Sequence, residues 1–101
     1  MLKVGGIWVS PVEVEAAIIT HPSVLEAAVV AWEDADRLVK PKAFVVLRPA
    51  HAATDALGAE IQEHVKQQLA PYKYPRRVEF VAELPKTATG KIQRYKLRAR
   101  R

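Results

Sequence analysis

Apolar and polar positions fall into two rhythms along this chain, and these rhythms divide it into elements. Residues 24–32 and 42–47 are nearly unbroken apolar runs rich in Val and Ala, which predicts two strands covered on much of both faces. Glu33-Asp34-Ala35-Asp36-Arg37 reads as the polar bend of a long hairpin between them, with Pro41 and Pro49 bracketing the second strand. Leu57, Ile61, Val65 and Leu69 recur every four residues, predicting an amphipathic helix over 55–69 with Asp55 near its positive end and Pro71 closing it. Gly58 lies inside that helix and weakens it slightly. An earlier helix starts at Ser10, whose hydroxyl suits an N-cap. Pro11 fits the first helical position, Glu13 completes a capping box, and Val14, Ala17 and Ile18 share one face before His21-Pro22 stops the helix. Residues 3–9, with Gly5-Gly6 before Ile7-Trp8-Val9, read as a short strand or a hairpin broken by a Gly-Gly turn. Residues 78–81 read as a third strand, and Tyr95-Lys96-Leu97 opens a short terminal helix. The fold class is therefore α+β: a small three-stranded sheet with packed helices plus an N-terminal hairpin.

Composition narrows the chemistry. At 101 residues the chain is one domain, large enough for its own core. It has no cysteine, which excludes disulfides, thiolate metal sites and a cysteine nucleophile and makes the cytoplasm the expected location. The opening residues lack the apolar core of a signal peptide, and no apolar run approaches the ~20 residues of a membrane span. The net charge of +5 is concentrated in Arg94, Lys96, Arg98, Arg100 and Arg101, and in Lys73, Arg76 and Arg77 interleaved with Tyr72 and Tyr74. Two readings stand for these clusters: solvated surface, or a surface for the phosphates of nucleic acid or of a polyphosphate cofactor.

Few side chains are framed for chemistry. No serine has a partner that would make it a nucleophile, and His21 is a loop histidine with no second ligand at a zinc spacing. Asp34 and Asp36 are read as solvated turn carboxylates rather than a metal pair. In Pro85-Lys86-Thr87-Ala88-Thr89-Gly90-Lys91, by contrast, a proline, two turn-forming threonines and a glycine present one lysine on a tight exposed loop. A phosphate-binding P-loop is excluded: Pro85 stands where the first glycine belongs, and Ile92 follows Lys91 where Ser or Thr belongs. What remains is a lysine suited to act as a point charge on developing phosphate negativity.

Two segments, 3–15 (Lys-Val-Gly-Gly-Ile-Trp-Val-Ser-Pro-Val-Glu-Val-Glu) and 84–94 (Leu-Pro-Lys-Thr-Ala-Thr-Gly-Lys-Ile-Gln-Arg), resemble the two signature segments of the C-terminal lid domain of adenylate-forming enzymes. That family includes acyl-CoA synthetases, peptide-synthetase adenylation domains and luciferases. The wording of the first segment and residues 36–42 is most similar to benzoate-CoA ligases, AMP-forming acid-thiol ligases. The resemblance implies an N-terminal adenylation domain and an acidic hinge outside residues 1–101, and an isolated domain that is inactive. It implies two steps. A carboxylate attacks the α-phosphorus of ATP, supplied with Mg2+, to give an acyl-adenylate and pyrophosphate. The C-terminal domain then rotates and CoA takes the acyl group.

The same resemblance assigns roles to residues. Lys91 matches the catalytic lysine of the first step, Gly5-Gly6-Ile7 the loop lining the pantetheine tunnel, and Tyr72, Tyr74, Arg76 and, more weakly, Lys66 the groups around the CoA nucleotide. Leu38 stands where some relatives stack adenine on a tryptophan. The expected partners are the enzyme's own N-terminal domain, ATP, CoA and an aromatic carboxylate, with no metal held by this domain, no nucleic acid and no membrane. A lysine acetyltransferase and deacetylase acting on Lys91 are further expected partners, because acetylation removes its charge. The rival reading is a small nucleic-acid-binding domain using residues 72–77 and the Arg-rich end, or a free-standing interaction module.

Overall fold

The computed structural model describes residues 2–4, 6–49, 51–70 and 73–98. Strands β1 (Leu2–Val4) and β2 (Ile7–Val9) form an antiparallel hairpin with Val4 opposite Ile7. Gly6 turns it at φ +86°, a conformation closed to most residues. Val4 and Val9 plug the hairpin into the core while Ile7 and Trp8 stay exposed, Lys3 lying 5.5 Å above the indole ring.

Helix α1 (Pro11–Ile19) starts at the expected N-cap, with Ser10 Oγ accepting from the Glu13 N–H at 3.4 Å, but the expected capping box is only half made. The Glu13 carboxylate turns outward to Lys73 Nζ, 2.6 Å away. Strands β3 (Val24–Glu33) and β4 (Val39–Leu47) form the long antiparallel hairpin. Its tip is an Asx-type turn: Asp34 Oδ1 accepts from the N–H groups of Asp36 (2.9 Å) and Leu38 (3.0 Å), and Oδ2 meets Lys40 at 3.1 Å. The Leu38 N–H bond, with Lys40 beside it, holds the Asp34 carboxyl below its ordinary range.

β4 starts three residues earlier than expected, so Pro41 lies within the strand instead of ahead of it. The Pro41 carbonyl accepts from Arg76 N–H at 2.9 Å, which turns its missing N–H to the same side, ahead of the point where β5 begins. Helix α2 (Asp55–Gln68), capped by the Thr54 hydroxyl, then crosses over to β5 (Arg77–Phe80), which pairs parallel to β4. The sheet order is β3-β4-β5, and α3 (Arg94–Arg98) ends the described chain. Pro71, expected to close α2, lies outside the described residues.

The sheet separates two cores of unequal size. One face, with Ala27, Val29, Ala43 and Val45, packs against Val14 and Ile18 of α1, Ile61 and Val65 of α2, and the hairpin valines. The other face, with Ala28, Val30, Phe44 and Val46, is covered by Leu84 and Leu97, with Val81 and Ile92 at the rim. Both faces are therefore dry, which explains why the strands read as continuous apolar runs. His21 is in a loop as expected but is buried, its Nδ1 accepting from Ser23 N–H (3.1 Å) and its ring edge-on to His64.

Candidate active site

The Lys91 segment is more regular than a loop reading suggests. Lys86 and Ile92 form an antiparallel bridge, Thr87 N–H donates to the Lys91 carbonyl (2.8 Å), and Gly90 N–H donates to the Thr87 carbonyl (2.9 Å). This is a miniature hairpin with a three-residue loop closed by a glycine at φ +87°. Thr87 stiffens it: its hydroxyl accepts from Lys91 N–H at 3.1 Å and lies 2.9 Å from the Thr89 hydroxyl. Ile92 packs against the smaller core while Lys91 points to solvent, and its ammonium has no partner among the described residues. A cation on a short stiff hairpin costs little to hold in place and remains available to an incoming anion.

Both ends of this hairpin are tied to the body. On the entry side, Lys86 pairs with Glu26 of β3. On the exit side, Arg94 makes a two-pronged contact with Glu15 of α1, Nε to Oε2 at 2.9 Å and a terminal nitrogen to Oε1. Glu15 is buried, and its Oε2 also accepts from Val29 N–H at 2.7 Å, on the open edge of β3. The Glu15 hydrogen bonds raise the Arg94 guanidinium above its ordinary value. Arg94, expected as part of a basic cluster, is thus half of an ion pair joining the two signature segments. A signal for it existed: Glu15 sits one turn from Ile18 on the buried side of α1, where a carboxylate needs a partner.

The aromatic and basic residues also come together. Tyr74 packs against the larger core, with Lys66 Nζ 4.3 Å and Arg76 Cζ 4.0 Å from its ring centroid. Arg76 donates to the Tyr74 carbonyl at 2.6 Å, and Gln62 of α2 donates to the carbonyls of Pro75 (3.0 Å) and Arg76 (3.2 Å). The neighbouring Lys73–Glu13 ion pair fastens this segment to the start of α1. Gly6 and Ile7 form the exposed tip of the N-terminal hairpin. Gly5 and Tyr72 lie outside the described residues, as do Arg100 and Arg101. Leu38 is exposed at the tip of the long hairpin, next to Arg37 at φ 61°.

The sheet divides these groups. The Lys91 hairpin packs over the smaller core, whereas the N-terminal hairpin and Tyr74 pack over the larger one. Among the described residues no group of three or more acidic, His or Cys side chains could hold a metal ion, and no helix is long and apolar enough to cross a membrane.

Comparisons with known proteins agree with this architecture. The family model for the AMP-binding enzyme C-terminal domain matches residues 13–91. The chain is 67% identical over 99 residues to a benzoate–CoA ligase of Thauera aromatica, covering 98% of this chain and 19% of that protein. It is 52% identical to a 4-hydroxybenzoate–CoA/benzoate–CoA ligase of Rhodopseudomonas palustris, covering 97% of this chain and 18% of that one. Among solved structures, the anthranilate CoA ligase AuaEII in complex with anthranoyl-AMP superposes with a TM-score of 0.93 at 60% identity, over 98% of this chain and 19% of that one. A benzoate CoA ligase from Burkholderia xenovorans gives a TM-score of 0.85 at 57% identity, over 90% and 18%. The chain spans about a fifth of the length of the curated relatives it matches. These matches support a CoA-ligase reading and lend nothing to a nucleic-acid-binding one. Their extent over nearly the whole sequence means that the chain belongs to the AMP-binding enzyme C-terminal domain family.

Proposed function

We propose that this chain works as the C-terminal domain of an AMP-forming carboxylate–CoA ligase of the benzoate–CoA ligase type, serving one half-reaction with each side of its sheet. The observation that carries this reading is the separation of the Lys91 hairpin from the Gly6–Ile7 tip and the Lys66–Tyr74–Arg76 cluster by the sheet. A domain with two working sides needs to turn between steps.

In the first step the carboxylate oxygen attacks the α-phosphorus of ATP and the bond to pyrophosphate breaks. Negative charge grows on the α-phosphate oxygens, and the exposed Lys91 ammonium supplies a fixed positive group for it. Removing one such pre-placed donor costs on the order of 10²–10³ in rate. Mg2+ accompanies ATP as part of that substrate. In the second step the CoA thiolate attacks the acyl carbon and AMP leaves. Gly5, Gly6 and Ile7 leave a narrow thiol arm room to pass, and Lys66 and Arg76 place two cations around an aromatic ring, a setting suited to a nucleotide and its phosphates. Tyr72 belongs to this group by its neighbourhood in sequence. The remaining partners in this reading are an N-terminal adenylation domain, an aromatic carboxylate such as benzoate, and a cytoplasmic acetyltransferase and deacetylase. Acetylation of Lys91 would remove the charge the first step needs.

The test is Lys91→Ala in the full-length enzyme, with the half-reactions measured separately. Adenylation is expected to fall about 10²–10³-fold while supplied benzoyl-adenylate is still converted to the thioester. Equal loss of both half-reactions would show the assignment wrong. The separate domain is expected to make no benzoyl-CoA from benzoate, ATP and CoA.

A further inference from the structure

The internal hydrogen bonds of the Lys91 hairpin fix its shape but not its place on the body of the domain. Leu84 and Ile92 seat it on the smaller core, and its direction is set where the chain enters and leaves it. At the entry, the Lys86–Glu26 pair is about one third exposed on both sides, so water and salt screen it. At the exit, Arg94 begins α3 only three residues beyond Lys91, and its guanidinium grips Glu15 with two nitrogens. Glu15 cannot yield: it is 6% exposed, carried by α1, and held by the Val29 N–H at the β3 edge. A planar fork on a carboxylate fixes direction as well as distance, which a lysine in the same place would not do. The pair also closes around the open edge of the sheet, joining α1 on one face to the Lys91 layer on the other.

We propose that Arg94, held by Glu15, is a positioning residue for Lys91 in the adenylation step, so that the first signature segment sets the aim of the second. This rests on the reading of Lys91 as the adenylation lysine. Arg94 touches no substrate in this scheme and acts only through the lysine hairpin.

The experiment uses the full-length enzyme with Arg94→Gln, Arg94→Lys, Glu15→Gln, Lys91→Ala and the Lys91→Ala/Arg94→Gln double variant, with adenylation and thioester formation from supplied acyl-adenylate measured separately. A misplacement on the order of 1 Å costs about 10²-fold, so Arg94→Gln should lower the adenylation kcat by about 10- to 100-fold. The KM values for ATP and carboxylate and the thioester half-reaction should stay within about twofold. Glu15→Gln should show the same selective loss, and Arg94→Lys should recover part of it. The double variant should adenylate no more slowly than Lys91→Ala alone, because effects that pass through one group do not add. Should Arg94→Gln fail to fold, Glu15→Gln and Arg94→Lys carry the same comparison. Unchanged adenylation in Arg94→Gln, equal loss in both half-reactions of a folded variant, or a double variant slower than Lys91→Ala would each overturn the proposal. If Lys91→Ala itself keeps adenylation, the lysine reading falls and this proposal with it. If Lys91→Ala loses adenylation and Arg94→Gln does not, only the positioning role falls.

Discussion

One substitution, glycine to alanine, is expected to have opposite effects at two positions. Gly58 lies inside α2, where an added Cβ would sit 3.8 Å from Phe80 Cε2 and 3.9 Å from Val78 Cβ, ordinary van der Waals contact. Alanine gains about 1 kcal/mol over glycine in a helix interior. Its methyl group, buried against β5, adds a fraction of the ~0.8 kcal/mol of a fully buried carbon. A net stabilisation of about 1–1.5 kcal/mol follows, or roughly 4–12 °C in Tm for a domain of this size. Gly90 has more room, with nothing within 4 Å of an added Cβ, but its φ of +87° disfavours any L side chain. There alanine costs about 1–2 kcal/mol in the folded chain, offset in part by a stiffer unfolded one. The two variants should therefore straddle the parent, separated by about 2 kcal/mol. Urea unfolding of the domain followed by tryptophan fluorescence provides the assay, with half-buried Trp32 as the reporter. A lowered midpoint for Gly58→Ala would refute the packing estimate, and a raised one for Gly90→Ala would refute the backbone one.

Other expectations concern the nucleotide side and the turns. In the full-length enzyme, Tyr74→Leu keeps an apolar contact with the core but removes the ring beneath Lys66 and Arg76; the KM for CoA should rise about 5- to 30-fold with adenylation unchanged. An equal change in both half-reactions would contradict it. Ser10→Ala should lower stability by about 1 kcal/mol through the lost cap of α1, read as a shift in urea midpoint; no shift would mean that the cap is idle. Folding depresses the Asp34 carboxyl, so its contribution is fully present above the unfolded value near pH ~4 and is lost as pH falls through the lower folded value. The amide resonances of Asp36 and Leu38 should accordingly titrate on the acid side of that value, and a midpoint above it would contradict the turn geometry.

Much of this fold can be read from sequence because local chemistry decides it. Ser10-Pro11-Glu13 starts α1, and the four-residue stripe from Leu57 to Leu69 marks α2. Gly6 turns the first hairpin. The start of β4 is not legible because Pro41 reads as a break, and only the pairing partner shows that its missing N–H faces no strand. The lysine segment reads as a loop since its bridge, Lys86 to Ile92, spans too few residues to leave an alternating pattern. Lys66, the weaker nucleotide-side candidate, stands 4.3 Å from the Tyr74 ring, close because Gln62 of the same helix holds the carbonyls of Pro75 and Arg76 beside α2. The Glu15–Arg94 pair is hard to read from sequence for the opposite reason. Its partners lie 79 residues apart and meet only because two layers wrap the same sheet edge.

The inequality of the two cores has a consequence for local unfolding. Two helices and a hairpin cover one face of the sheet, whereas two leucines with Val81 and Ile92 at the rim cover the other. Lifting off the thinner layer exposes far less apolar surface than unfolding the domain, so it is the cheaper opening and will occur independently. Amide hydrogens of Thr87, Gly90 and Gln93 should then exchange with solvent long before those of β4, and a protease should find residues 85–94 first. Lys91 thus rides on the domain's least protected layer, where Glu15 reaches around the sheet edge to hold it shut.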